Sequence, residues 1–233
     1  MKTIGLLGGM SWESTAGYYE AINQGVKEKL GGLHSAQIVM VSVDFQPIEK
    51  LQHLGNWEET AKLLSEAAAR VQLAGADCLL ICTNTMHKVA PQIAESIDVP
   101  LLHIADATAE QLVAEGISRV GLLGTAFTME QDFYKGRLGE RFGLEVLVPD
   151  ASSRATVHRV IYEELCLGII RGESKKVFQA VIGDLAKQGA QAVILGCTEI
   201  AMLIKQADTE VRLFDTTAIH AHRAVSFALG ERY

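Results

Sequence analysis

Short apolar runs alternate with longer amphipathic stretches along the whole chain. Residues 4–7 form an apolar run that exits into Gly8-Gly9, the pattern of a buried strand feeding a turn. Ser11 is placed to cap a helix over 13–30. A β-branched, apolar stretch at 37–43 predicts a strand with Asp44 at its exit. A helix over 57–74 and a strand over 77–82 follow, then a helix over 86–96 and a short strand over 100–104. The helix predicted over 108–115 is stopped by Gly116. The second half predicts strands at 120–123, 144–148, 192–195 and 211–214. Its helices fall at 130–141, 157–170, 174–188, 199–204 and 218–229, and Asp215-Thr216-Thr217 can cap the last.

Strands that alternate with helices imply an α/β fold with parallel sheets flanked by helices. Continuously apolar strands such as Val193-Ile194-Leu195 suit a sheet buried on both faces. The chain also matches itself. Gly75-Ala76-Asp77-Cys78-Leu79-Leu80-Ile81-Cys82-Thr83-Asn84 aligns with Gly189-Ala190-Gln191-Ala192-Val193-Ile194-Leu195-Gly196-Cys197-Thr198, so Thr83 stands opposite Cys197. Upstream, Gly5-Leu6-Leu7-Gly8-Gly9 echoes Gly121-Leu122-Leu123-Gly124-Thr125. The expectation is two similar α/β domains related by a pseudo-twofold, with a site in the cleft between them. The first spans 1–98 plus a returning C-terminal helix at about 216–233, and the second spans 99–215.

Ligands in such folds sit beyond the carboxyl ends of the strands. Attention therefore falls on Gly8–Ser11, Asp44-Phe45, Thr83–His87, Gly124–Thr128 and Cys197–Glu199. Gly-x-x-Gly-Gly at residues 5–9 lacks the dinucleotide fingerprint spacing and reads as a tight turn, and no Walker A sequence is present. Cys197 follows a strand and precedes a helix, where the dipole favours thiolate; a free thiol has a pKa near ~8.5. Asn84 and Thr85, with Thr125 and Thr198 from the other half, offer donors for a carboxylate. The same residue types also serve as ordinary helix caps.

Composition narrows the function. With 233 residues, 48% hydrophobic content and a mean hydropathy of +0.17, the chain can bury a substantial core. Its net charge of −7, without a basic cluster, disfavours nucleic acid as a partner. No apolar run approaches the roughly 18 residues of a membrane span, and the N-terminus shows no signal-peptide pattern, so the expected location is the cytoplasm. Cys78, Cys82, Cys166 and Cys197 lack zinc-site spacing, and His87, His220 and His222 do not complete one; no metal and no disulfide are expected.

Five motifs together resemble the aspartate/glutamate racemase family: Gly-Leu-Leu-Gly-Gly-Met-Ser at 5–11, Gln-x-x-Gly-x-Trp at 52–57, Asn84-Thr85-x-His87, Gly-x-x-Gly-Thr at 121–125, and Gly-Cys-Thr-Glu at 196–199. They span nearly the full length. The resemblance implies an enzyme without a cofactor, acting on a small amino acid, and a homodimer. It implies two cysteines flanking the substrate α-carbon, one removing a proton while the other returns one to the opposite face. It also places Met10 and Gln52 in the pocket and gives His87 and Glu199 a supporting role.

This chain departs from that pattern at one position. The first family cysteine lies directly before Asn-Thr, and here that residue is Thr83. Cys82 is one residue earlier, and neighbouring strand residues point to opposite faces, so it does not simply substitute. The resemblance assigns deprotonation of the L-enantiomer to the second cysteine. The expected enzyme is therefore one-sided: Cys197 deprotonates L-aspartate or L-glutamate, and Thr83 donates from the other face. No Arg or Lys occupies a recognisable motif position for the side-chain carboxylate. Two alternatives stand beside this reading: a one-cysteine decarboxylase of the same superfamily, and a non-catalytic binder of small acids.

Overall fold

In the computed structural model of the chain, residues 1–231 are described. The chain separates into two compact units, Met1–Ile104 with the segment from His220 onward, and Ala105–Ile219. The C-terminal helix was expected within a segment running to residue 233; residues 232 and 233 lie outside the described residues.

The first unit is built from β1 (Ile4–Gly8), α1 (Trp12–Leu30), β2 (Ile38–Ser42), α2 (Phe45–His53), α3 (Trp57–Leu73), β3 (Cys78–Ile81) and α4 (Ala90–Glu95). Its sheet has the order β2-β1-β3, all parallel, with Ile4 paired to both Ile38 and Cys78. The two-residue period of the strands sorts the core into two layers. Leu7, Leu79 and Ile81 pack with Leu64, Ala67, Ala68 and Val71 of α3 and with Ile93 of α4. Ile4, Leu6, Cys78 and Leu80 face the other way, onto Tyr18, Ile22 and Val26 of α1. Ser11 caps α1 by accepting the Ser14 N–H at 3.3 Å, as its position predicted.

At α5 (Ile104–Ala114) the chain passes into the second unit. There β4 (Arg119–Gly124), α6 (Ala126–Glu130), α7 (Asp132–Phe142), β5 (Glu145–Leu147), α8 (Ala151–Glu163), α9 (Gly172–Lys187), β6 (Ala192–Gly196), α10 (Ile200–Leu203) and β7 (Arg212–Asp215) give a four-stranded parallel sheet of order β5-β4-β6-β7. The last helix, α11 (Thr216–Leu229), begins in this unit and returns to the first, where Ala221, Ala224 and Val225 join the α1 layer.

The internal repeat has a packing basis. A Cβ on Gly5 would lie 2.5 Å from both the Cys78 carbonyl and Val71 Cγ1. A Cβ on its counterpart Gly121 would lie 2.9 Å from Leu185 Cδ1 of α9. In both units a helix presses onto the central strand where only glycine leaves room.

Several elements differ from the sequence expectation. Asp44 is the cap of the unanticipated α2, accepting the Gln46 N–H at 3.2 Å, with Pro47 in the first turn where its missing N–H costs nothing. The strand expected at 100–104 is reduced to a single parallel bridge between Leu79 and Leu101, and α5 starts at Ile104. The helix expected at 86–96 is a 3-10 turn, Thr85–Val89, followed by the short α4. The helix expected at 130–141 is two, α6 and α7, broken where Gln131 is extended. The helix expected at 157–170 begins earlier, because Asp150 accepts the N–H groups of Ser152 and Ser153. It ends at Glu163, and the next residue, Glu164, turns its carboxylate inward to accept the Ser174 hydroxyl at 2.6 Å.

Candidate active site

In the first unit the candidate residues gather behind β3. Thr83 is 9% exposed and follows the end of the strand, with its N–H donated to the Ile81 carbonyl at 2.9 Å. Asn84 and Thr85 head the 3-10 turn and are buried; the Asn84 side chain makes no capping bond, so capping does not account for it. His87 is buried too. Its Nδ1 lies 2.8 Å from the Thr83 carbonyl and its Nε2 accepts the Ile104 N–H at 3.2 Å. A carbonyl only accepts and an amide only donates, so the ring is neutral with its proton on Nδ1. Gln52 is buried on α2, and Met10 is buried within the α3-side core layer. Cys82 points into the opposite layer with Cys78 and Leu80; it is fully buried, and that burial pushes its thiol far above the ordinary range.

The second unit gathers Cys197, Thr198 and Glu199 on one carboxylate. The Cys197 thiol donates to Glu199 Oε2 at 2.9 Å, and the Thr198 hydroxyl donates to the same oxygen at 2.8 Å. All three are buried. Thr125 caps α6, its hydroxyl accepting the Thr128 N–H at 3.3 Å, so its ordinary capping role is realised.

One expectation is overturned. The helix dipole was to favour the Cys197 thiolate. Instead the thiol is raised well above its ordinary value, by burial first and by the adjacent Glu199 charge second. The helix that follows, α10, has only four residues, too few to offset desolvation and a neighbouring anion. Cys197 therefore rests as a thiol hydrogen-bonded to a carboxylate.

The sequence reading gave Tyr18 no role and weighed His220 only as a metal ligand. His220 is fully buried; its Nε2 lies 2.7 Å from the Leu102 carbonyl and its Nδ1 2.8 Å from the Tyr18 hydroxyl. Burial lowers its pKa to about 4. Neither residue lies in a motif, and the only sequence signal was a histidine on the apolar face of a helix. Among the described residues no group of His, Cys, Asp or Glu is assembled to hold a metal ion, and no helix is long and apolar enough to cross a membrane.

Comparison with known proteins places this arrangement. The chain is 23% identical, over 96% of each sequence, to the broad specificity amino-acid racemase RacX of Bacillus subtilis. It superposes on the crystal structure of a candidate Asp/Glu racemase from Yersinia pestis with 56% identity and a TM-score of 0.91, covering 98% of this chain and 100% of that one. An aspartate racemase homologue from Pyrococcus horikoshii OT3 matches at 35% identity and a TM-score of 0.85, with coverage of 98% and 100%. The family model for Asp/Glu/hydantoin racemases matches residues 7–224, nearly the whole chain, and the protein belongs to that family.

Proposed function

We propose that the protein is a cofactor-independent racemase of L-aspartate or L-glutamate, with Cys197 as the base and Thr83 as the donor to the opposite face. The observation that carries this reading is the buried Cys197 thiol bonded to Glu199 Oε2 at 2.9 Å, set against a threonine at the matching position of the other half. The thiol proton passes to Glu199. The resulting thiolate takes the α-hydrogen of the L-substrate, and the Thr83 hydroxyl gives its proton to the other face of the carbanion; water reprotonates Thr83 as Glu199 releases its proton to solvent, which restores the starting state. Asn84, Thr85 and Thr125 supply donors for the substrate carboxylates in this reading, with Met10 and Gln52 at the pocket wall; the Thr198 hydroxyl is already donated to Glu199 and is not counted among them.

The chemistry is one-sided. Thr83 is far too weak an acid to be held as a base at neutral pH, so α-hydrogen exchange through Cys197 on the L-enantiomer outpaces exchange on the D-enantiomer, while inversion, whose equilibrium constant is one, keeps equal kcat/KM in the two directions. Proton NMR in D₂O tests this on both enantiomers of aspartate and glutamate. The expected result is loss of the α-hydrogen signal from the L-substrates in wild type and none in Cys197→Ser. Equal loss from D- and L-substrates sinks the one-sided scheme, and no loss from any of the four removes acidic amino acids as substrates.

A further inference from the structure

The backbone around Thr83 is tied on both sides. Its N–H is donated to Ile81, and its carbonyl accepts from His87. Threonine is β-branched, so a fixed backbone leaves its hydroxyl few directions. The bond to His87 belongs to a longer chain of contacts. The Tyr18 hydroxyl meets His220 Nδ1 at 2.8 Å, and His220 Nε2 meets the Leu102 carbonyl at 2.7 Å. Two residues on, the Ile104 N–H meets His87 Nε2 at 3.2 Å, and His87 Nδ1 meets the Thr83 carbonyl at 2.8 Å. The two imidazoles also lie against each other, with ring centroids 5.9 Å apart.

Every donor in this chain is forced by its partner. Leu102 offers only a carbonyl, so His220 carries its proton on Nε2, and Tyr18 must donate to the bare Nδ1. Ile104 offers only an N–H, so His87 is bare at Nε2 and carries its proton on Nδ1. Tyr18 and His220 are fully buried and His87 nearly so. Buried polar groups linked without a break make a stiff support, and loss of one member leaves its neighbour unsatisfied.

We propose that Tyr18, His220 and His87 are positioning residues: together they hold the Thr83 peptide, and through it the Thr83 hydroxyl, for the return of the proton. The inference rests on the racemase reading above. It assigns a role to Tyr18 and His220, which touch no reacting group. It also predicts that the two halves of the reaction respond differently when the support is cut. Exchange of the L-substrate α-hydrogen needs only Cys197 and its carboxylate. Inversion also needs the Thr83 hydroxyl in place, and a displacement of about 1 Å is worth up to roughly 10²-fold in rate.

The experiment measures both rates on L-glutamate in D₂O: α-hydrogen exchange by proton NMR, and D-glutamate formation by chiral chromatography. Tyr18→Phe removes one hydroxyl and keeps the ring; His220→Gln keeps a donor for Leu102 and removes the acceptor for Tyr18. Inversion is expected to fall about 10-fold or more in both, with exchange within about twofold of wild type. His87→Ala shows the same split, and His87→Asn, which restores a donor at the Nδ1 position, recovers part of the inversion rate. Equal losses of both rates, or no loss of either, overturn the positioning role.

Nitrogen-15 NMR of the histidines in the wild-type protein gives an independent check. The chain requires the Nδ1–H tautomer on His87 and the Nε2–H tautomer on His220. The opposite tautomer on either ring overturns it whatever the activity. Absence of any Cys197-dependent exchange in wild type instead brings down the racemase reading, and the tautomers then decide the support chain alone.

Discussion

Glu199→Gln puts two effects of one carboxylate in opposition. The substitution preserves the size of the side chain and removes its charge beside the Cys197 thiol, which donates to Oε2 at 2.9 Å. The charge is the second cause of the raised thiol pKa, after burial. A thiolate and a carboxylate about 4 Å apart repel by about 4 kcal/mol at an effective dielectric near 20. Removing the carboxylate therefore lowers the thiol titration, while the contribution of burial stays. If Glu199 did nothing else, the variant would hold more thiolate at neutral pH and exchange the substrate α-hydrogen faster. If Glu199 receives the thiol proton, the variant loses a general base, a loss of about 10²–10⁴ in rate. The assay pairs α-hydrogen exchange from L-glutamate across pH with the ultraviolet absorbance of the thiolate. We expect a lower thiolate midpoint together with slower exchange. Exchange at or above the wild-type rate at neutral pH would refute the proton-acceptor role.

Three other outcomes follow from the same geometry. Cys82→Ser places a hydroxyl in a fully buried apolar layer and should cost about 1–3 kcal/mol in a denaturant titration, with the exchange rate per folded molecule unchanged; loss of exchange would restore a chemical role to Cys82. Gly5→Ala should destabilise more than Gly121→Ala in thermal melts, because the first new methyl meets the Cys78 carbonyl at 2.5 Å while the second meets the end of Leu185 at 2.9 Å; the reverse order would contradict the strand packing. His220 has a folded pKa of about 4 against an ordinary 6.5, so the unfolded chain takes up the proton first. Its contribution is present in full above the unfolded value and is lost as pH falls from there toward the folded one, about 3 kcal/mol at most. His220→Gln should flatten that limb of the stability curve, and an unchanged slope would mean that the ring is not held neutral.

The sequence by itself determined the layered α/β plan, because strand and helix periods are local properties of the pattern. The repeated glycines and the match of Thr83 to Cys197 also placed both candidate groups at strand exits, and the two-residue period alone pointed Cys82 into the core. Elements whose identity rests on capping or on a neighbouring strand were harder to read. Asp44 looked like a strand exit and is a helix cap, and the run at 100–104 had a strand's composition but makes only one bridge.

The tertiary structure decided the charge state of the site. A thiol before a helix favours ionisation on local grounds, yet burial and the carboxylate two residues away hold Cys197 protonated. Desolvation depends on everything packed around an atom, and no window of sequence reports that. The same reason hid the support behind Thr83. Tyr18 and His220 stand 202 positions apart, and only the return of the last helix to the first unit brings their side chains within a hydrogen bond.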